Sequence, residues 1–161
     1  MCKGLSSLPS SCLEKAKEMR VKLSHLAETH HKHKNHDGKA LQDLETLLNN
    51  KNGLQAFRSF LRSEFSEENL EFWLACEDYR VCPSNLQKTK SGDIYSQFIN
   101  PDAPQEVNLD AETRETLLSA TETPCADTFN EAQQRIYNLM AKDSFPRFLR
   151  SSHCMEAIKA F

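Results

Sequence analysis

A short polar stretch within residues 63–79 carries the side chains best suited to recognition chemistry. Glu68 and Asn69 open a predicted helix, where a carboxylate and an amide can exchange hydrogen bonds with a partner. Ser66 suits the N-cap, and Phe65 and Leu70 have the spacing of a hydrophobic staple. Such a cap would hold Glu68 and Asn69 rigidly at the mouth of a loop, as a recognition surface requires. The alternative is a well-capped core helix without a binding role.

The sequence contains no recognisable set of residues for bond-making catalysis. It has no Gly-rich phosphate loop, no His-Glu-x-x-His pair and no Gly-x-Ser-x-Gly elbow. Cys76 is interpreted as a small buried hydrophobic residue rather than a nucleophile. A Cys/His pair would require Cys125 or Cys154 to meet His153, the only histidine after residue 40. We therefore expect that the chain has no catalytic site of its own.

A group of histidines precedes the main body of the chain, and imidazoles close in sequence can converge on one metal ion. No cysteine or carboxylate completes a site of fixed geometry around them, and the segment lacks apolar periodicity. Residues 28–40 are therefore predicted to be a solvated, His-rich polar linker, with no metal and no cofactor. The histidines are His30, His31, His33 and His36.

Charge divides the 161 residues into a basic leader and an acidic body. Residues 1–40 hold eight Lys/Arg and four Asp/Glu, so the net charge of −3 leaves −7 for the remainder. The acidic body argues against nucleic-acid binding, whereas the basic leader suits an anionic membrane surface. The six cysteines form no Cys-x-x-Cys pair, and no signal peptide or hydrophobic span is evident. These features predict a reducing, cytoplasmic location.

Residues 1–27 are predicted to form an amphipathic leader helix. Ser11 and Glu14 have the spacing of a capping box, and apolar residues follow at helical intervals beside a basic flank. Such a helix suits the inner leaflet of the plasma membrane, and Cys2 and Cys12 are placed for acylation. The alternative is a helix that packs on the domain. The apolar positions are Leu13, Ala16, Met19, Leu23 and Leu26.

The body reads as an all-α bundle, because helical periodicity recurs without strand alternation. Gly53 is predicted to end the first helix of the body. Asp110 is predicted to cap a later helix, and Thr128 with Glu131 to form a capping box for the next. Trp73, the single tryptophan, is assigned to the core.

Three ordered motifs resemble the regulator of G-protein signalling (RGS) family. They are Ser63 to Tyr79, Ala103 to Asp110 and Phe129 to Arg150, and the leader resembles that of the small single-domain members. The resemblance implies an RGS-type helical bundle of about nine helices over residues 41–161, preceded by the short amphipathic helix.

The resemblance also implies a G-protein α-subunit (Gα) contact set, drawn from all three motifs. The first motif contributes Glu64, Phe65, Ser66, Glu68 and Asn69; the second contributes Glu106 and Asn108; the third contributes Leu139, Asp143, Ser144 and Arg147. Arg147 is expected to hold Asp143 in place, an arrangement that would also suit a purely structural role.

The implied function is that of a GTPase-activating protein for heterotrimeric Gα, which ends receptor signalling without a catalytic site of its own. The expected partner is GTP-bound or transition-state Gα of the inhibitory or Gq type, and the expected state is a monomer associated peripherally with the plasma membrane. The alternative is an RGS-fold scaffold that binds partners without accelerating hydrolysis.

Replacing both leader cysteines, Cys2→Ser with Cys12→Ser, should move the protein from membrane to cytosol in cell fractionation. The expected cause is loss of acyl chains, in which each buried CH₂ contributes about 0.8 kcal/mol. GTP hydrolysis stimulated in solution should stay unchanged, which provides the control. Unaltered membrane binding would assign attachment to the basic helix alone.

Overall fold

The computed structural model describes residue 23 and residues 37–160, and the regular structure of this part is helical throughout, which confirms the all-α prediction. A 3₁₀ turn covers Ser84–Leu86, and π-helical turns cover Tyr95–Ile99 and Met140–Ser144. The α-helices are α1 (Asp37–Leu48), α2 (Lys51–Ser63), α3 (Glu68–Arg80), α4 (Gln87–Ile94), α5 (Ala111–Ala120), α6 (Asn130–Leu139), α7 (Phe145–Leu149) and α8 (Ser152–Ala160).

The chain divides into two compact units. The terminal unit consists of Met1–Glu64 and Ala141–Phe161, and the central unit consists of Phe65–Met140. Helices α1, α2, α7 and α8 belong to the terminal unit, whereas α3 to α6 belong to the central unit.

Aromatic rings form the core of the terminal unit. Phe57 and Phe60 lie one turn apart on α2, so both face the same side of the helix. The ring of Phe57 meets Phe148 edge-on at 5.4 Å and Phe145 at 6.4 Å between centroids. His153 of α8 packs edge-on against Phe60 at 5.8 Å. These contacts fix α7 and α8 on the apolar face of α2.

Helix α2 begins with a side-chain cap, and Gly53 lies inside this helix rather than at the end of the preceding one. The Oδ1 atom of Asn50 accepts the Gly53 N–H at 2.9 Å, so Gly53 lies in the first turn of α2. The prediction that Gly53 ends the preceding helix is wrong, since α1 ends at Leu48. Close packing explains the glycine: an added Cβ would lie 2.7 Å from both Cδ1 and the carbonyl oxygen of Leu47.

The central unit is built around buried aromatic side chains of α3. Phe72 meets Phe98 edge-on with centroids 5.6 Å apart, and Tyr79 meets Phe129 at 5.0 Å. The Tyr79 hydroxyl donates to the carbonyl oxygen of Cys125 at 2.5 Å, which satisfies its one polar atom within an apolar site.

A polar network joins α3 to α6 inside the central unit. Gln133, only 4% exposed, donates from Nε2 to the carbonyl of Trp73 at 3.2 Å and to Glu77 at 2.6 Å. Its Oε1 atom accepts from Arg80. Trp73 itself is half-buried, with its ring 6.2 Å from that of Tyr137, so its assignment to the core is wrong.

Asp110 caps α5 as predicted, because its carboxylate accepts the Thr113 N–H at 3.4 Å. The prediction that Thr128 and Glu131 form a capping box is wrong. Helix α6 has Phe129 at its N-cap without a side-chain cap bond, and the Thr128 hydroxyl instead accepts the Cys125 N–H at 2.8 Å.

The predicted leader lies outside the described residues except for Leu23, which is helical and fully buried. The predicted linker lies outside them up to residue 36, and its last four residues form the start of α1. Among the residues that the structure describes, none belongs to a helix long and apolar enough to cross a bilayer.

Gly53→Ala should destabilise the protein by about 1–3 kcal/mol, because the new methyl group would overlap the Leu47 backbone. Gly92→Ala is the matched control: a Cβ there meets nothing within 4 Å, so it should stabilise α4 by about 0.5–1 kcal/mol. Urea denaturation of both variants measures the difference. A Gly53→Ala protein as stable as Gly92→Ala would contradict the packing account.

Candidate functional site

In the terminal unit, the guanidinium of Arg147 binds two carboxylates. Arg147 donates from Nε to Glu64 Oε1 at 3.0 Å and from the second terminal nitrogen to Glu64 Oε2 at 3.1 Å. Its other terminal nitrogen binds Asp143 Oδ1. Planar guanidinium and carboxylate groups match in such a fork, which makes the geometry specific. The Arg147–Asp143 pair is therefore confirmed, and Glu64 joins it.

The chain positions this cluster at the end of one helix and the start of another. Glu64 follows the last residue of α2, with its N–H bonded to Phe60 and Leu61 carbonyls at 3.2 and 3.1 Å. Asp143 and Arg147 are four residues apart, so they share one helical face. The hydrogen bonds that Arg147 donates to Glu64, and less strongly the one that it donates to Asp143, raise the pKa of Arg147, so the guanidinium stays charged.

Ser144 lies beside this cluster in sequence but is 3% exposed. It belongs to the π-helical turn Met140–Ser144 and precedes Phe145, which is fully buried. Of the predicted contact residues in the terminal unit, Ser144 is therefore the one with least accessible surface, whereas Asp143 is exposed.

In the central unit, the turn before α3 presents an aromatic ring to solvent. Phe65 adopts a φ of 56°, in the left-handed region that side chains with a Cβ rarely enter, and is 94% exposed. Leu70 is fully buried, so the predicted staple between Phe65 and Leu70 is wrong. An exposed ring on a strained turn is typical of a residue kept for contact rather than for packing.

Helix α3 begins slightly later than predicted. The structure places its N-cap at Glu67, one residue beyond the predicted Ser66, and Glu67 makes no side-chain cap bond. Glu68 and Asn69 occupy the first turn and are half-buried. The Asn69 side chain makes no hydrogen bond within the described part of the chain. Its amide is consequently available to a partner.

The segment before α5 carries Glu106 and Asn108, both exposed. It is pinned to the π-helical turn by main-chain bonds from Gln105 N to Gln97 O at 3.1 Å and from Val107 N to Phe98 O at 2.9 Å. Gln97 Nε2 also donates to Gln105 Oε1 at 2.8 Å. The loop therefore has a defined conformation.

Arg114 of α5 binds the same loop and was missed by sequence reasoning. Its guanidinium donates to the carbonyls of Ile99, Val107 and Leu109 and lies 2.9 Å from Glu106 Oε1. Because every residue has a backbone carbonyl, no pattern of residue types in the sequence indicates that these three would bind Arg114. The remaining predicted contact, Leu139, ends α6 and is 37% exposed.

Two buried cysteines of the described part of the chain are held in their thiol form. Burial raises the pKa of the Cys76 thiol far above its usual range and that of Cys154 to about 11, so both remain protonated at neutral pH. Thiolates, not thiols, are nucleophiles. Among the side chains that the structure describes, His, Cys, Asp and Glu form no group able to hold a metal ion. His30, His31, His33 and His36 lie outside the described residues.

Comparison with known proteins gives a consistent result. A family model described as the regulator of G protein signaling domain matches residues 43–154. The chain is 45% identical to Regulator of G-protein signaling 5 of Sus scrofa, across 99% of this chain and 100% of that protein. It is 42% identical to the Mus musculus protein of the same name, with the same coverage. It is 52% identical to Regulator of G-protein signaling 1 of Homo sapiens, over 68% of this chain and 53% of that protein.

Proposed function

The chain belongs to the family of proteins that carry the regulator of G-protein signalling (RGS) domain, and from this membership we propose that it accelerates GTP hydrolysis on heterotrimeric Gα subunits. The matched region, residues 43–154, includes every residue of the contact set, from Glu64 to Arg147. The chain acts as an activator and supplies no catalytic group to the reaction.

The mechanism follows from what Gα already contains. In Gα, a glutamine orients the attacking water and an arginine acts in cis on transition-state charge. The switch loops are ordered by the γ-phosphate and released on hydrolysis. A partner that binds those loops more tightly in their transition-state arrangement than in the ground state lowers the barrier. Such a partner requires rigid polar groups, not a base or a metal ion.

The observation that carries the proposal is the fixed Asp143 carboxylate. Arg147 holds it from one side while Glu64 holds Arg147 in a two-bond fork. Asp143 is nevertheless exposed, so its remaining acceptor positions can receive N–H groups of a switch loop. Holding an acceptor rigid before binding lowers the entropy lost on association.

The central unit supports the same function through Asn69. Its half-buried amide has two donors and one acceptor oxygen and makes no bond within the described part of the chain. We assign it to the Gα glutamine and switch region, and we propose Phe65, Ser66, Glu68, Glu106, Asn108 and Leu139 as further Gα contacts of the central unit. Ser144, which is 3% exposed, is proposed as a contact of the terminal unit.

The rest of the organisation is proposed on the same basis. Residues 1–27 act as a leader on the inner leaflet, with Cys2 and Cys12 as lipidation sites. The linker predicted over residues 28–40 is shortened by α1, which begins at Asp37, and residues 41–161 form the RGS domain. The protein acts in the cytoplasm as a monomer at the plasma membrane, on inhibitory or Gq-type Gα. The competing proposal is a scaffold of the same fold that binds without accelerating hydrolysis.

Single-turnover GTP hydrolysis on inhibitory and Gq-type Gα should be accelerated by the chain, and the chain alone should hydrolyse no GTP. Binding should be strongest to Gα carrying GDP with a mimic of the γ-phosphoryl transition state, weaker with a GTP analogue and weakest with GDP. Equal affinity for the three states leaves no differential binding energy, and the scaffold function would then replace ours.

Asn69→Ala should reduce activation on the order of tenfold to hundredfold, because an unpaired polar group in the complex costs about 1–3 kcal/mol. Thermal unfolding should stay close to that of the unmodified protein, since the amide makes no bond within the described residues. Asn85→Ala, an exposed asparagine in the 3₁₀ turn, is the matched control. Normal activation with a large fall in melting temperature would make Asn69 a structural residue.

A further inference from the structure

Arg114 concentrates its hydrogen bonds on one short loop of the central unit. The Nε atom donates to Leu109 O at 3.1 Å, one terminal nitrogen donates to Val107 O at 2.8 Å, and the other donates to Ile99 O. The side chain is only 15% exposed and also pairs with Glu106. A guanidinium has five donors in a rigid fork, so one residue can satisfy several carbonyls that leave the helical pattern.

Two of these carbonyls flank Asn108, a residue of the contact set. Leu109 N donates to Val107 O at 3.0 Å, which makes Asn108 the centre of a three-residue turn. Val107 and Leu109 are 1% and 7% exposed, whereas Asn108 is exposed. The loop therefore anchors a buried side chain on each side of Asn108 and points the amide between them outwards.

We propose that Arg114 is a positioning residue for Gα recognition: it fixes the turn that presents Asn108 and does not itself need to touch the partner. This inference rests on the proposed function. It also reassigns part of the role of Glu106, whose carboxylate neutralises Arg114 within the loop and so has less charge to offer a partner. Lysine cannot replace Arg114, because a compact ammonium lacks the planar fork that reaches separate carbonyls.

The test compares Arg114→Lys, Asn108→Ala and the double variant in single-turnover hydrolysis over a full range of activator concentration. Arg80→Lys is the matched control, because Arg80 also serves several acceptors in the central unit, namely Glu77, Asn130 and Gln133, but none in residues 99–109. Arg114→Lys should raise the concentration for half-maximal activation about tenfold, and Arg80→Lys should leave it within about twofold.

Coupling distinguishes positioning from a general loss of stability. If Arg114 acts through Asn108, the activity loss from Arg114→Lys should disappear in the Asn108→Ala background, while its effect on unfolding should persist in both backgrounds. If Arg114→Lys does not fold, Gln97→Ala loosens the same loop through its bond to Gln105 and should lose activation with the same dependence on Asn108.

Failure of the two proposals can be told apart. An unmodified chain that does not accelerate hydrolysis overturns the proposed function. An active unmodified chain overturns the positioning role if Arg114→Lys behaves like Arg80→Lys. The positioning role is equally overturned if the activity loss is the same with and without Asn108.

Discussion

The shared guanidinium of Arg147 is the interaction on which the acidic members of the proposed contact set in the terminal unit, Glu64 and Asp143, depend. Glu64 and Asp143 are separated by about half of the chain's 161 residues, and their carboxylates would repel each other without the cation. Arg147 binds Glu64 through two parallel bonds and uses its remaining nitrogen for Asp143. Because the fork is planar and rigid, fixing Glu64 also fixes the direction from which Asp143 is held. Arg147 thereby links the residue that follows α2 to the π-helical turn that carries Asp143.

In the central unit, a different arginine, Arg114, binds a different kind of acceptor. Arg114 has backbone carbonyls as its main acceptors, because the loop before α5 leaves these groups outside any helical ladder. The two arginines thus perform complementary tasks: one orders acidic side chains, and the other orders irregular backbone. Both arginines hold the groups that they bind in a defined arrangement. Rigidity is what activation by differential binding requires, since a surface that adapts equally to every state of a partner cannot favour one of them.

Helical periodicity in the sequence was sufficient for the fold class, because apolar residues at three- and four-residue intervals report directly on a buried face. Local polar signals were less reliable, and each error has a physical reason. Gly53 was assigned to a helix end, but the glycine is needed for close packing against Leu47. Thr128 has the right spacing for a capping box, yet its hydroxyl is engaged by the Cys125 N–H. Glycine occurs both at helix ends and at sites of close packing, and a threonine hydroxyl can cap a helix or bind a loop N–H. The residue type alone therefore does not show which of the two structures forms.

Among the proposed contact residues, some contacts follow from the sequence and others do not. Asp143 and Arg147 lie one turn apart, so their pairing follows from helical geometry once the helix is predicted. The pairing of Arg147 with Glu64 crosses 83 positions, and nothing local to either residue indicates it. The contacts of Arg114 are harder still to predict from the sequence, because its acceptors are backbone carbonyls, which every residue type carries. Its position in the first turn of α5 does not indicate these partners, and only the placement of Ile99, Val107 and Leu109 around one side chain shows them. Sequence resemblance leads to a proposed set of contact residues, whereas the contacts that hold those residues in place become apparent only when backbone and side chains are seen together.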